Sequence, residues 1–303
     1  MSAVVLLQVV VAELRTRFLE VKDDWMADIK DYSGLVNNNT INFNEVGALP
    51  SVLVNTAVSS SSPIGSAQRT DQGHPVALDK FDTVNTEITD DELYALAYDK
   101  KSSVMADHLT ALQLMKIKKG LWSFAPASDT ATTPVLRTTG NALGTATGTR
   151  KTLTLNDFIT YRQRCVAQGF NIDDCAFILS PEHAGDIMSF DQSFRDRFNN
   201  TETGKLIAKL EGFKLYSNNN TPKYNNTTYA KTAFGASAAG TDTPSSVMYN
   251  TQNAMRASGT VKVFYRPEEL SPDTRSSLFG CRTRFIMSPV VTGGNGAIIS
   301  DVF

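Results

Sequence analysis

Residues 51 to 87, SVLVNTAVSSSSPIGSAQRTDQGHPVALDKFDTVNTE, set the strongest limit on what this chain can fold into. SVLVNTAV reads as a strand, SSSSPIGSAQRTDQG as an exposed tip, and PVALDKFDTVNTEI as a returning strand, so the tract is an extended hairpin. It holds too few large apolar side chains for a core of its own, and an isolated two-stranded ribbon is marginal in water. At about 3.3 Å per residue, an arm of about twelve residues reaches roughly 40 Å. Such a ribbon must lie on something, and no part of the chain is set aside to receive it.

A well-marked helix start follows. In NTEITDDELYALAYDKK, residues 85 to 101, Thr89 stands three residues before Glu92, the spacing of a capping box. Asp90 and Asp91 put negative charge in the first turn, where the helix dipole favours it. Leu93, Ala97, Val104, His108, Leu112 and Met115 follow one face, and Leu96, Leu109 and Ala111 widen it. Lys116, Lys118 and Lys119 followed by Gly120 look like a helix end. The pattern predicts a helix over 90–119, about 45 Å long, crossing a flat domain. Lys100 and Lys101 interrupt its stripe and no heptads repeat, which argues against a coiled coil.

Around these two elements the chain alternates between patterned and loose stretches. In residues 1 to 50, Ala3, Leu7, Val10, Leu14 and Phe18 recur near helical spacing, and the tract ends in the polar NNNTINFNEVGALP. It reads as an acidic arm rather than a secretion signal, because it lacks a basic start and a small-residue cleavage site. Residues 121 to 150 read as a polar loop. Thr154 and Asp157 cap a helix that buries Leu155, Phe158, Ile159, Cys165 and Val166 and is closed by Gly169. CAFILS is a buried strand, and Ser180-Pro181 starts a further helix with proline in the favoured first position. GKLIAKLEGFKLYSNNN gives a turn of helix and a strand, 218 to 243 is loop, and the last sixty residues look like sheet.

Local chemistry argues against an enzyme. His74, His108 and His183 are the only histidines and have no triad or metal partners at recognisable positions. A packed or interfacial role suits His108. Gly144, Gly148, Lys151 and Thr152 brush against a phosphate-loop pattern, but the Gly-Lys-Thr run is not contiguous, so a flexible loop is expected. Asp23-Asp24 and Asp173-Asp174 fit solvated caps or turns better than cation sites. The aromatics of VKVFYRP fit strand-core alternation. Cys165, Cys175 and Cys281 form no metal-ligand spacing and are expected as buried, reduced thiols. No catalytic residue, cofactor or metal site is predicted. With 29 basic against 31 acidic residues, nothing demands a polyanionic partner. No run approaches the ~20 apolar residues of a membrane span, so no membrane partner is expected.

The order of elements is more informative than any motif: arm, extended hairpin, long helix, α/β unit, polar loops, closing sheet. In that order TVNTEITDDELYALAYDKKSSVMADHL, CAFILSPEHAGDIM, GKLIAKLEGFKLYSNNNTP and FGCRTRFIMSPVVTGGNGAIISD resemble the major capsid protein of tailed bacteriophages, the Hong Kong 97-type fold. The resemblance implies an α+β chain with an N-terminal arm (1–50), an extended loop (51–87), a peripheral domain (88–152 and 246–303) carrying the spine helix, and an axial domain (153–245). It implies a structural subunit that self-assembles as hexamers and pentamers into the icosahedral head shell. The partners it implies are a scaffold protein (separate, or already removed), a portal, decoration proteins, and packaged double-stranded DNA as a weak, non-specific contact. It places the chain in the virion capsid, assembled in the bacterial host cytoplasm. Candidate inter-subunit contacts are Val52, Val54, Lys80, Phe81, Thr89 and Glu92. Lys80 has no identifiable asparagine partner, so no cross-link is predicted. Three other readings remain: an encapsulin-like nanocompartment shell, another phage structural protein such as a tail tube, and a hydrolase with an unrecognised site.

Overall fold

The computed structural model describes residues 23–37, 39–45, 50–56, 58–59, 64–66, 68–69, 72–91, 100–145, 148–189, 209–237, 239–271, 273–291 and 293–301. In chain order the strands are β1 (Lys30–Asp31), β2 (Thr40–Glu45), β3 (Gln72–Ala77), β4 (Asp79–Asp82) and β5 (Thr86–Thr89). Helix α1 (Lys100–Phe124) comes next, then β6 (Val135–Arg137) and the hairpin β7 (Ala142–Thr145) and β8 (Gly148–Lys151). Helix α2 (Leu155–Ala167), β9 (Cys175–Leu179) and helix α3 (Pro181–Met188) lead to β10 (Lys209–Leu210), β11 (Phe213–Ser217) and β12 (Lys223–Asn225). The chain closes with β13 (Asp242–Asn250), β14 (Ala254–Ser258), β15 (Lys262–Arg266), β16 (Ser276–Pro289) and β17 (Asn295–Ile299).

A seven-stranded mixed sheet, ordered β10-β11-β9-β13-β17-β6 with β12 on β13, is buried on both faces. That is why CAFIL reads as an unbroken apolar run rather than an alternating one. Successive side chains still point to opposite faces. Ala176, Ile178, Val247, Tyr249, Ala297 and Ile299 pack with Ile117, Leu121 and Phe124 of α1 and with Trp25. Phe177, Leu179, Phe213, Leu215, Met248 and Ile298 face Phe158, Tyr161 and Cys165 of α2 and Ile187 of α3. Phe177 sits edge-on to Phe158, Tyr161 and Phe213 at centroid separations of 5.4, 5.0 and 5.1 Å.

Helix α2 begins and ends as its sequence predicts. Thr154 and Asp157 form a reciprocal capping box. At the other end Gly169 takes φ +81, its amide donates to Val166, and the Phe170 amide donates to Cys165, the paired bonds of a Schellman cap. Ser180 caps α3 with Pro181 in the first position. Cys165, Cys175 and Cys281 are all buried and unbridged, as expected.

The second, six-stranded sheet is organised by β16. One edge of this strand pairs first with β14 and then β15, the other with β4 and then β5. Its Phe285 and Met287 join the core shared with α1. Between β4 and β5 the backbone of Thr83 bonds Cys281, and Asn85 folds across Gly280, whose missing Cβ leaves it room.

Several expectations are corrected. Gly120 does not end the spine helix, which continues to Phe124. A Cβ on Gly120 would stand 2.6 Å from Met287 Sδ and 3.3 Å from Trp25 Cη2, so this glycine permits close helix–sheet approach instead of a cap. Leu109 and Met115 are exposed, not part of a wide buried stripe, and so is Val166 on α2. Residues 121 to 150 are not a polar loop: they carry the end of α1, the strand β6 at one end of the seven-stranded sheet, and the β7–β8 hairpin. The glycines of the phosphate-loop lookalike lie in that hairpin, and Lys151 pairs with Asp301 at 2.7 Å. The loop expected over 218–243 carries β12 and the first residues of β13. Trp25 and Ile29, inside the tract read as an arm, are core residues. The N-terminal periodic positions 3 to 18, and Leu93, Leu96 and Ala97, lie outside the described residues.

The ribbon also differs in its pairing. Strand β3 pairs with β2, from Thr40↔Ala77 to Glu45↔Gln72, not with SVLVNTAV. The polar TINFNE makes this ladder because Ile41 can be buried against Leu78 and Ala257, fixing the register at the base. Val52, Leu53 and Val54 have no such anchor and stand in solvent.

Candidate assembly surface

The region that the sequence marked for contacts is apolar and exposed. Val52 is 87% and Val54 78% accessible. Leu53, Val58 and Ile64 extend the same exposed apolar tract. Among the described residues no element packs over it. Burying a valine side chain is worth about 1.5–3 kcal/mol, so this tract is a reservoir of association free energy.

A groove of about 600 Å³ lies between strands β4–β5 and helix α1, with Phe234 at one end. Its walls are mainly apolar, from Phe81, Val84, Val104, Ala111, Leu112 and Met115. Val84 is exposed on its lip. His108 forms part of the wall and is only 7% accessible. Its Nδ1 lies 2.8 Å from Thr83 Oγ1, which also accepts the Cys281 amide at 2.9 Å. Its Nε2 is buried with no hydrogen-bond partner. Whichever tautomer is present, that nitrogen keeps one donor or acceptor unmet in the wall of the groove.

Two sequence candidates share this groove. Phe81 is half-buried on its wall, and Lys80 stands on its rim paired with Asp82 at 3.4 Å. The Arg282 guanidinium binds the same Asp82 and holds its carboxyl below the usual range. The trio is exposed, so its stabilising effect is small. Thr89 is elsewhere: it ends β5 opposite Ser276, and Asp90 and Asp91 after it are helical. Glu92 lies outside the described residues. Val52 and Val54 do not line the groove.

A second apolar surface was missed by sequence reasoning. Strand β15 was expected to alternate into a core, yet every residue from Lys262 to Arg266 is exposed. Among the described residues it pairs only with β16, at the end of the sheet. The signal was present in its composition: Lys262 and Arg266 flank Val263, Phe264 and Tyr265, and charged ends are how exposed edge strands are protected from indiscriminate pairing.

The interior holds the polar chemistry, and it is sealed. His183 is fully buried, with Nδ1 2.7 Å from Ser246 Oγ and Nε2 2.9 Å from Ser300 Oγ. Burial pushes its pKa down to about 4, so the ring is neutral. This Ser–His–Ser chain has no opening to substrate and serves as a structural tie between α3, β13 and the end of β17. Beside it Arg150 grips Asp186 with two 2.7 Å bonds, both side chains buried. Among the described residues no cluster of three or more His, Cys, Asp or Glu could hold a metal ion. No helix among them is long and apolar enough to cross a membrane.

No family model matches the sequence, and no curated protein matches it. Solved structures do match in fold. "Capsid structure of the Cyanophage P-SCSP1u" superposes with a TM-score of 0.62 at 14% identity, covering 90% of this chain and 86% of that one. "Capsid of Ralstonia phage GP4" gives 0.60 at 13% identity, over 95% and 90%. "Mycobacterium phage Che8" gives 0.61 at 13% identity, over 90% of each chain. The chain therefore has the mixed helix-and-sheet fold of these phage capsid structures, as the Hong Kong 97-type resemblance anticipated.

Proposed function

We propose that this chain is the major capsid subunit of a tailed bacteriophage, self-assembling into the head shell that encloses double-stranded DNA. The observation that carries the reading is the likeness in fold, along about nine-tenths of the chain, to structures whose titles name phage capsids. Two features of this molecule support it. The β2–β3 ribbon and the exposed valines beyond it form an interaction element with almost no core of its own. The same chain carries an apolar groove with an unsatisfied imidazole. Donor and receptor patches on one chain make heterologous contacts, which close into rings such as pentamers and hexamers.

In this reading the six-stranded sheet and α1 form the peripheral part of the subunit, and residues 153–245 crowd the symmetry axes. The loop that embraces neighbours has its base at Thr40 and Ala77. Val52, Val54, Lys80 and Phe81 act in contacts between copies, while Thr89 and Glu92 fix the angle at which the loop leaves the helix. Scaffold, portal and decoration proteins are its outside partners, DNA touches it weakly, and its role is structural rather than catalytic. Assembly takes place in the host cytoplasm.

Negative-stain electron microscopy of the expressed chain is the direct test. Closed shells or capsomer rings are expected; monodisperse monomers under all assembly conditions overturn the proposal. Deleting Ser60 to Arg69 spares the paired ladder and should abolish shells while leaving the monomer folded. Nuclease-protected DNA inside native particles supports a phage head, and a protein cargo points instead to a nanocompartment.

A further inference from the structure

The segment between β12 and β13 is fastened to the protein without entering its core. No side chain from 226 to 237 is fully buried. Its two ends meet: the Asn226 amide donates to Thr241 O at 2.8 Å, and Asn225 Nδ2 donates to Thr241 Oγ1 at 3.2 Å. A loop with joined ends can lift as one body. Segments with few buried apolar contacts open locally, at a free energy well below that of global unfolding.

One lysine and one tryptophan hold it down. Lys231 Nζ donates to Trp122 O at 2.9 Å and to Ala125 O at 2.5 Å, carbonyls at and just past the end of α1 that no helical amide receives. The same ammonium lies 3.9 Å over the Trp122 ring. In return Trp122 Nε1 donates to Thr232 O at 2.8 Å, and the Lys231 amide donates to Ala127 O at 3.1 Å. Phe234 packs edge-on to Trp122 at 5.9 Å, with the Lys119 ammonium 4.8 and 4.9 Å from the two rings. Phe234 thereby forms one end of the groove between α1 and β4–β5.

The fastening is finely balanced. A cation at a helix C-terminus is favourable, but Lys231 meets carbonyl oxygens rather than a carboxylate. Lys119, itself paired with Asp79 at 3.5 Å, adds like charge beside it. Burial and that neighbour pull the Lys231 pKa down to about 8. Further along, Tyr229 takes φ +55 beneath the Arg137 guanidinium, a conformation that bulky side chains rarely adopt. Closure thus sets a few directional contacts against a crowded cation and a strained residue.

We propose that residues 226–236 form a strap that opens and closes over the end of α1, with Lys231 as its key. Closed, it covers the Trp122 indole and places Phe234 at the end of the groove. Open, it bares the indole, withdraws Phe234 and lengthens the groove. The device belongs to the single chain and does not depend on shell assembly.

Hydrogen exchange followed by mass spectrometry on the full-length, unassembled chain at pH 7 reads the opening. Relative to their unstructured rates, wild-type peptides within 223–237 should exchange about a hundredfold faster than β9, as a local opening requires. Lys231→Met keeps the apolar stem but removes both carbonyl bonds, so strap exchange should rise a further tenfold, roughly the loss of one charged hydrogen bond. Phe234→Ala should raise it about threefold, through the loss of a cation–π contact. Exchange in β9 should not change in either variant. Strap and β9 exchanging in step in the wild type, or wild-type strap rates in both variants, would overturn the proposal. Equal acceleration of strap and β9 in both variants would make these side chains supports of the whole fold and refute the strap. Phe234 is exposed, so Phe234→Ala keeps the test valid even if Lys231→Met is poorly folded.

Discussion

The seven-stranded sheet and the β2–β3 ribbon are built from the same kind of paired strands, yet they stand at opposite ends of self-sufficiency. Phe177 and Ile178, neighbours on β9, are both fully enclosed, one beneath α2 and the other beneath α1. On the ribbon Ile41 is the one described side chain that reaches a core, and beyond it Val52 and Val54 stand in water. The sheet is stabilised within one chain. Among its described side chains the ribbon has backbone pairing but no further apolar layer, so its stabilisation is expected from elsewhere. Damage to the first should therefore register as unfolding, and damage to the second as failed association.

The largest effects belong to the sheet. Phe177→Ala removes a ring packed against three others and should cost about 3–5 kcal/mol, read as a fall in the urea midpoint of the unassembled chain. A loss below about 1 kcal/mol would mean that the aromatic cluster is not a rigid core. Arg150→Met strands the Asp186 carboxylate, which is only 5% accessible, and should also cost about 3–5 kcal/mol. Pairing it with Asp186→Leu should recover most of the loss, since two apolar side chains leave no buried charge behind. No recovery in the double variant would show that the pair is needed for its shape rather than its charges.

Gly120→Ala comes next. At an exposed helix position this change stabilises by about 1 kcal/mol. Here the new Cβ meets Met287 and Trp25, so the sign should reverse, to a loss of about 1–3 kcal/mol. Adding Met287→Val should relieve it, and a stabilised single variant would disprove the close approach.

The pH response of His183 is confined to acid. Its folded pKa of about 4 lies below the ordinary value of 6.5. Between those values the unfolded chain binds more protons, so stability falls as pH drops from about 6.5 to about 4 and levels off below. Urea midpoints of a His183→Gln variant should slope less steeply across that window than wild type. Equal slopes would place the acid response in other groups.

The smallest effect on folding should be at the ribbon. Val52→Ser with Val54→Ser should move monomer stability by no more than about 0.5 kcal/mol while sharply lowering particle yield. Unchanged yield would erase the contrast between the two regions.

What could be read from the sequence follows the range of the interaction. The Thr154–Asp157 box, the Gly169 cap and the Ser180-Pro181 helix start depend on residues within one turn, and all form as expected. The order of elements was enough to suggest the fold. Gly120 was misread because its purpose is set by Met287, distant in sequence and adjacent in space. β15 was misread because alternation shows that a strand has two faces, not that either is covered. The partner of β3 was misread because SVLV is the stronger local strand former, yet among the described side chains it is Ile41 that finds a pocket, against Leu78 and Ala257. The candidate groove was half legible: Lys80 and Phe81 were singled out, but the unsatisfied Nε2 of His108 emerges only when α1 is laid across β4 and β5.

The contact between Gly120 and Met287 has a historical consequence. The two positions share a single volume, so neither is free to change alone. In any lineage of chains with this fold, a side chain gained on the helix should be found together with a shorter one on the strand. That correlated exchange would mark the helix–sheet spacing as an inherited dimension, visible in sequences too diverged to align by any other feature.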